Sequence, residues 1–131
     1  PFELGLGWLV SFDKGVFNGR QALLEEKEKG SRYHLVKLDI DGNKPAKDSF
    51  VYTKSKKFAG TVTSAMWSPS AKASIALASL EAPLGKPGEE YEVEVYYQRE
   101  LKWSRVMAPC RVVKDVFWDP PRRRQTPPAD F

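Results

Sequence analysis

The sequence predicts a mainly β fold: a closed six-stranded barrel, favoured over a sandwich, with one short N-terminal helix. Three observations lead there. Residues 91–98 alternate strictly, with Tyr91, Val93, Val95 and Tyr97 against Glu92, Glu94, Tyr96 and Gln98. That is the period-two pattern of a half-buried strand. Further short apolar segments at 33–40, 50–53, 58–64, 73–80 and 102–113 follow one another closely, most of them separated by turn residues. Closing such strands into a ring removes the sheet edges, and this chain has few other devices to protect an edge.

The elements read as follows. Residues 2–10 are apolar but broken by Gly5 and Gly7, which predicts a turn and then a short strand ending near Phe12. Residues 13–19 form a loop. A helix runs from Arg20 to Lys29, entered at Asn18 or Gly19 and stopped by Gly30, with Ala22, Leu23 and Leu24 on its apolar side. The first strand places Val36, Leu38 and Ile40 on one face, and Asp41-Gly42 turns it. Lys54 to Lys57 is a basic turn. Gly60, inside the third strand, marks a bulge or a close backbone approach. Residues 66–72 read as a loop started by Ser68-Pro69. Ala73 to Leu80 is a continuous run of small and apolar residues suited to burial on both sides. Residues 82–90 form a Pro/Gly loop, and Arg99-Glu100 turns the alternating strand into 102–113. Pro109 within that last strand predicts an edge position or a break. From Asp119 the chain is proline-rich without periodicity and reads as an extended or disordered tail.

Composition narrows the function classes. The chain has 131 residues, 41% hydrophobic and 29% charged, which suits one globular domain with its own core. A lone cysteine, Cys110, excludes a disulfide scaffold. No apolar run approaches the ~20 residues of a membrane helix, and no membrane partner is expected. The single thiol, the missing N-x-S/T sequon and the lack of a signal-like start point to a cytoplasmic setting. The chain opens on Pro1, so it is expected to be processed or part of something longer. A net charge of +4 permits anionic partners without requiring them.

Catalytic constellations are missing. There is no phosphate-binding glycine loop and no nucleophile elbow. His34 is the only histidine, so no metal site is expected. Cys110 beside Pro109 reads as a buried apolar thiol. Glu25-Glu26 point apart on a helix, and Glu89-Glu90 lie in a loop, so neither makes an acid–base pair. No catalytic residue is assigned.

Three segments carry a resemblance. The first is Gly5-Leu6-Gly7-Trp8 followed by Lys14-x-x-Phe17-x-Gly19-Arg20-x-Ala22-Leu23. The second is Gly60-x-Val62-Thr63-Ser64, then Ser68-Pro69, then Ile75-Ala76-Leu77-Ala78. The third runs from Pro87-Gly88 to Val93. In this order and spacing the chain resembles the C-terminal region of the aminomethyltransferase family, which includes the glycine-cleavage T-protein and tetrahydrofolate-dependent demethylases. The resemblance divides the chain into an entry segment from an upstream domain (1–18), a C-terminal barrel domain (19–117) and a Pro/Arg-rich tail (118–131).

The resemblance implies a closed, Greek-key-like final barrel in a one-carbon transferase that moves an aminomethyl or methyl group. Tetrahydrofolate would be held mainly by preceding domains, and activity would belong to the longer polypeptide, not to this segment alone. The implied partners are those upstream domains, folate and a small methyl or aminomethyl donor. The family's principal folate-contacting acid and arginine have no counterpart here. Trp8, Lys14 and Arg20 are the implied interdomain contacts. Trp8 is an interdomain anchor or a folate platform; Lys14 and Arg20 meet upstream carboxylates or face water. Aligned from Phe117, the place of a T-protein tyrosine falls near Arg122. That place holds no tyrosine here, and the Phe117-Trp118-Asp119-Pro120 stretch looks more like the demethylase and sarcosine-oxidising branches; Trp118 and Arg122 border the folate or substrate mouth, or belong to a solvated basic tail. The alternative function is a small barrel binding single-stranded nucleic acid through Tyr96, Tyr97, Arg99, Lys102, Trp103 and Arg105. Glu92, Glu94 and Glu100 in the same hairpin oppose it, and nucleic acid is not the expected partner.

Overall fold

The computed structural model describes residues 1–44 and 46–126. Six antiparallel strands close into a barrel: β1 (Tyr33–Ile40), β2 (Phe50–Thr53), β3 (Phe58–Ser68), β4 (Ala73–Glu81), β5 (Glu90–Arg99) and β6 (Lys102–Val113). Around the ring the order is β1-β4-β3-β2-β5-β6. Strands β2, β3 and β4 are hairpin neighbours and β1 returns beside β4, which is a Greek key. The pair β5–β6 then closes the ring between β2 and β1.

The period-two pattern sets the core. Val36, Leu38 and Ile40 of β1 face inward with Tyr91, Val93 and Val95 of β5, and all are buried. Leu38, Val51, Leu80 and Val93 are wholly buried. Each contributes about 1.5–3 kcal/mol on leaving water. Three of the four inward positions of β4 are small, Ser74, Ala76 and Ala78, and the barrel is correspondingly tight. Ala46, on the connection from β1 to β2, is also buried. Gly60 shows how tight the wall is. A Cβ there would stand 2.0 Å from the Ser79 carbonyl oxygen.

Several expectations need correction. No strand forms near Phe12; the arm before the helix holds two 3-10 turns, Gly7–Leu9 and Phe12–Lys14. A strand needs a ladder partner, and the ring is already closed. The arm makes one such bond, Leu35 N–H to the Glu3 carbonyl at 2.8 Å, where β1 runs past its pairing with β6. Strand β3 continues through Ser68, because Met66 and Trp67 still pair with Ile75 and Ser74 of β4. The expected loop shrinks to residues 69–72, and Ser68 Oγ accepts the Ala71 N–H to start it. Strand β4 is buried on one face only: Ser74, Ala76, Ala78 and Leu80 point in, while Ile75 and Leu77 point out. The tail is not wholly extended, since Pro121–Arg124 form a 3-10 turn; residues 127–131 of the expected tail lie outside the described residues.

Pro109 neither ends nor breaks β6. Its carbonyl accepts the Asp41 N–H, one residue beyond the last β1–β6 pair, Ile40 with Cys110. Within a strand residue, N–H and C=O point the same way, so the missing proton faces Asp41, just past the end of the β1–β6 pairing, and the β5–β6 ladder loses no bond. The hairpin turn falls at Glu100-Leu101, one residue later than expected, with φ of 50° and 65°. Two left-handed residues match a tight hairpin.

Helix α1 (Arg20–Lys29) forms where expected and ends as the Gly30 N–H reaches the Glu26 carbonyl. None of its residues is buried, so its apolar side has no place in the barrel core. Among the described residues, no helix is long and apolar enough to cross a membrane.

Candidate functional site

The N-terminal arm exposes an unusual amount of apolar surface. Trp8 is 78% exposed and Val16 97%, and Leu4, Leu6 and Leu9 are exposed as well. Phe2 and Phe12 stack, with ring centroids 6.4 Å apart, and Lys27 lies over Phe12. Lys14 is exposed, its ammonium 6.0 Å from the centre of the Phe17 ring. Arg20 turns back to its own arm: Nη2 donates to the Phe12 carbonyl at 3.3 Å, and Nε is buried without a partner.

The second motif, from Gly60 to Ser68, builds the barrel wall. Gly60 lets β4 approach. Thr63 sits in a bulge between Val62 and Ser64 and donates its hydroxyl to the Leu77 carbonyl at 3.1 Å. That bond joins two strands in mid-wall. Outside this wall runs an apolar groove of about 320 Å³, lined by Met66, Ile75, Leu77, Val116, Phe117 and the stem of Lys37. Sequence reasoning missed it. Its signal was present in the run from 73 to 80, where unbroken apolarity reflects an outward greasy face and not two-sided burial.

The tail follows directly from that groove. Arg122 lies over the Trp118 ring at 5.8 Å, and Trp118 is 43% exposed. Asp119 pairs with Arg123 at 3.6 Å and with Arg124. The structure thus brings Trp118 and Arg122 together as one stacked pair.

Other groups are accounted for inside the fold. Burial pushes the Cys110 thiol up from 9.0 to about 12, as suits a buried apolar thiol. Tyr91 also rises, from 10.0 to about 12, first through burial and then through its hydrogen bond to Glu89. The Tyr91 hydroxyl accepts the Gly85 N–H at 3.0 Å, tying down the β4–β5 connection. Lys54 binds Glu90 and lowers its carboxyl pKa. On the β5–β6 hairpin, Tyr96 sits opposite Arg105, and Arg105 lies 3.9 Å from Glu94. A hydrogen bond to Glu94 raises the Tyr96 hydroxyl. A carboxylate therefore sits amid the aromatic and basic residues that would have to meet a phosphate chain.

Comparison with known proteins gives a consistent result. A family described as the glycine cleavage T-protein C-terminal barrel domain matches residues 34–119. The aminomethyltransferase of Synechococcus sp. (strain CC9311) is 40% identical over 119 residues, covering 90% of this chain and 30% of the relative. That of Parasynechococcus marenigrum (strain WH8102) is 42% identical over 119 residues, with the same coverage of 90% and 30%. The crystal structure of glycine cleavage system aminomethyltransferase T from Bartonella henselae superposes with a TM-score of 0.75 at 24% identity, over 90% of this chain and 32% of that one. The chain spans under a third of the length of these relatives. With its closed six-stranded ring and a family match across every strand, this chain belongs to the glycine cleavage T-protein C-terminal barrel domain family.

Proposed function

We propose that the chain is the C-terminal barrel of a tetrahydrofolate-dependent one-carbon transferase, and that it completes the folate and substrate site of a longer cytoplasmic polypeptide. The observation that carries this reading is the arm. Its exposed Trp8, Leu9 and Val16 have no partner in a barrel whose own core is already filled. Such side chains are what an upstream domain would cover. In this reading Trp8 anchors the arm, Lys14 meets upstream carboxylates, and Arg20 acts indirectly by holding the arm to its helix.

Tetrahydrofolate, when bound, supplies the nitrogen that accepts the one-carbon unit. The residues here fit its anionic end. Asp119 is taken by Arg123 and Arg124, and Arg122 is stacked on an indole. A guanidinium held in this way offers two parallel N–H groups to a carboxylate, such as that of the folate glutamate. Trp118 would give that Arg122 its orientation and wall off the mouth. The barrel itself contributes shape and keeps water out, so that positioning carries the rate. The donor is an aminomethyl group on a carrier protein, a sulfonium methyl or an aryl methyl ether.

The test is folate affinity of the full-length polypeptide carrying Arg122→Ala. Weakened binding is expected, with Arg123→Ala as the unaffected control. Unchanged affinity removes Arg122 from the mouth. Tight folate binding by the 131-residue chain alone would overturn the view that the site lies mainly upstream.

A further inference from the structure

We infer that the outer wall made by β1, β4 and β3 is the face on which the upstream part of the same polypeptide seats itself, with an apolar side chain filling the groove between Met66, Leu77 and Phe117. The inference rests on the reading that this chain is part of a longer protein, and it adds which face is used and what chemistry meets it.

The groove is apolar by construction. Lys37 lies on its floor, but its ammonium donates to the Lys114 carbonyl at 2.6 Å. The charge is parked at the rim and only the methylene stem faces the groove. Met66 is 63% exposed and Leu77 38%, which is expensive surface to leave in water. A second concavity of about 390 Å³ shares Lys37 and Leu77 with the groove and reaches Leu4 and Gly5 of the arm. The apolar strip is therefore continuous from the groove to the arm, where the chain enters. The relatives carry more than two thirds of their length outside the matched part, so a body large enough to cover the strip is covalently at hand.

The opposite wall is a poorer seat. Phe50, Tyr96 and Trp103 are exposed there too, but charge is interleaved with them: Glu94 faces Phe50 across the ladder and pairs with Arg105. An apolar ridge laid on that wall would have to desolvate these charges. Its strands β2 and β5 do not pair with β1, and Trp103 lies outside the stretch of β6, Cys110 to Val113, that does.

The experiment uses the full-length polypeptide with the photo-crosslinker p-benzoyl-L-phenylalanine placed at Met66 or, separately, at Trp103. The expected result is an intramolecular crosslink from position 66 to upstream residues, none from position 103, and loss of the first when Leu77→Glu puts a carboxylate in the groove. Crosslinking upstream from 103, with or without 66, overturns the choice of wall while leaving the transferase reading intact. A crosslink from 66 to a second copy or to another protein overturns the choice of occupant. No crosslink from either position overturns the inference alone, since the transferase reading stands or falls on the folate affinity of the full-length polypeptide.

Discussion

Gly60→Ala is the sharpest test of how this barrel closes. Gly60 pairs with Leu80 on one side and Val51 on the other. Its added Cβ would lie 2.0 Å from the Ser79 carbonyl oxygen and 2.9 Å from the Leu80 Cα. Both are backbone atoms, so no rotamer change relieves the contact. To reach even 3.0 Å, β4 must retreat by about 1 Å. That shift weakens about two ladder bonds, at roughly 0.5–1.5 kcal/mol each. It also displaces the wholly buried Leu80, at a strain cost of about 1–3 kcal/mol. Alanine returns roughly 0.5–1 kcal/mol through lower unfolded-chain entropy. The net loss is about 3 kcal/mol, or about 10 °C in Tm for a domain of this length. Urea denaturation followed by far-UV circular dichroism measures it. Ser79→Gly should not rescue the variant, because the obstacle is a carbonyl and not a side chain. A midpoint unchanged by Gly60→Ala would refute the close-approach argument.

Other outcomes follow from the same geometry. Thr63→Val removes the hydroxyl that joins the bulge to β4 and should cost about 0.5–1.5 kcal/mol by the same denaturation assay. Cys110 should resist a thiol reagent at pH 8 until the barrel is unfolded, since both its burial and its raised pKa keep it a thiol. Cys110 and Tyr91 hold their protons more tightly folded than unfolded, so their stabilising contribution is present below about pH 9 and is lost as pH rises to about 12. Denaturation midpoints across that range should fall for the wild type and fall less steeply for Cys110→Ala and Tyr91→Phe.

How much was legible in the sequence depended on which side of the wall a residue faces. Strands β1, β2, β5 and β6 were readable almost to the residue, because alternation is imposed by a packed interior on one side and water on the other. Helix α1 was readable from its glycine ends. The failures lie where apolar residues face outward. Residues 2–10 look like a strand because Leu4, Leu6, Trp8 and Leu9 are apolar, yet those side chains are exposed and the segment coils into turns. Ile75 and Leu77 look like the second buried face of β4, yet they line an open groove. Met66 and Trp67 look like a loop, yet backbone pairing carries β3 past them.

These failures share one physical cause. Periodicity reports only that a residue avoids water, not which body shields it. Inside a closed ring of six strands the shield is the barrel itself, and prediction from the chain alone succeeds. At Trp8, Leu77 and Met66 the barrel supplies no shield, and the same pattern is assigned to the wrong interior. Apolar residues that break the expected fold in this way mark the surface that the proposed upstream domain would cover. The arm and the β1–β4–β3 wall meet at Leu4 and Lys37, so the misread segments form one surface and not several unrelated lapses. Tail residues Trp118 and Arg122 escape this logic because the role proposed for them is polar. Whether a guanidinium meets a ligand or water leaves no trace in hydrophobic periodicity, so the proposed role rests on resemblance, and the stacking was readable only from the structure.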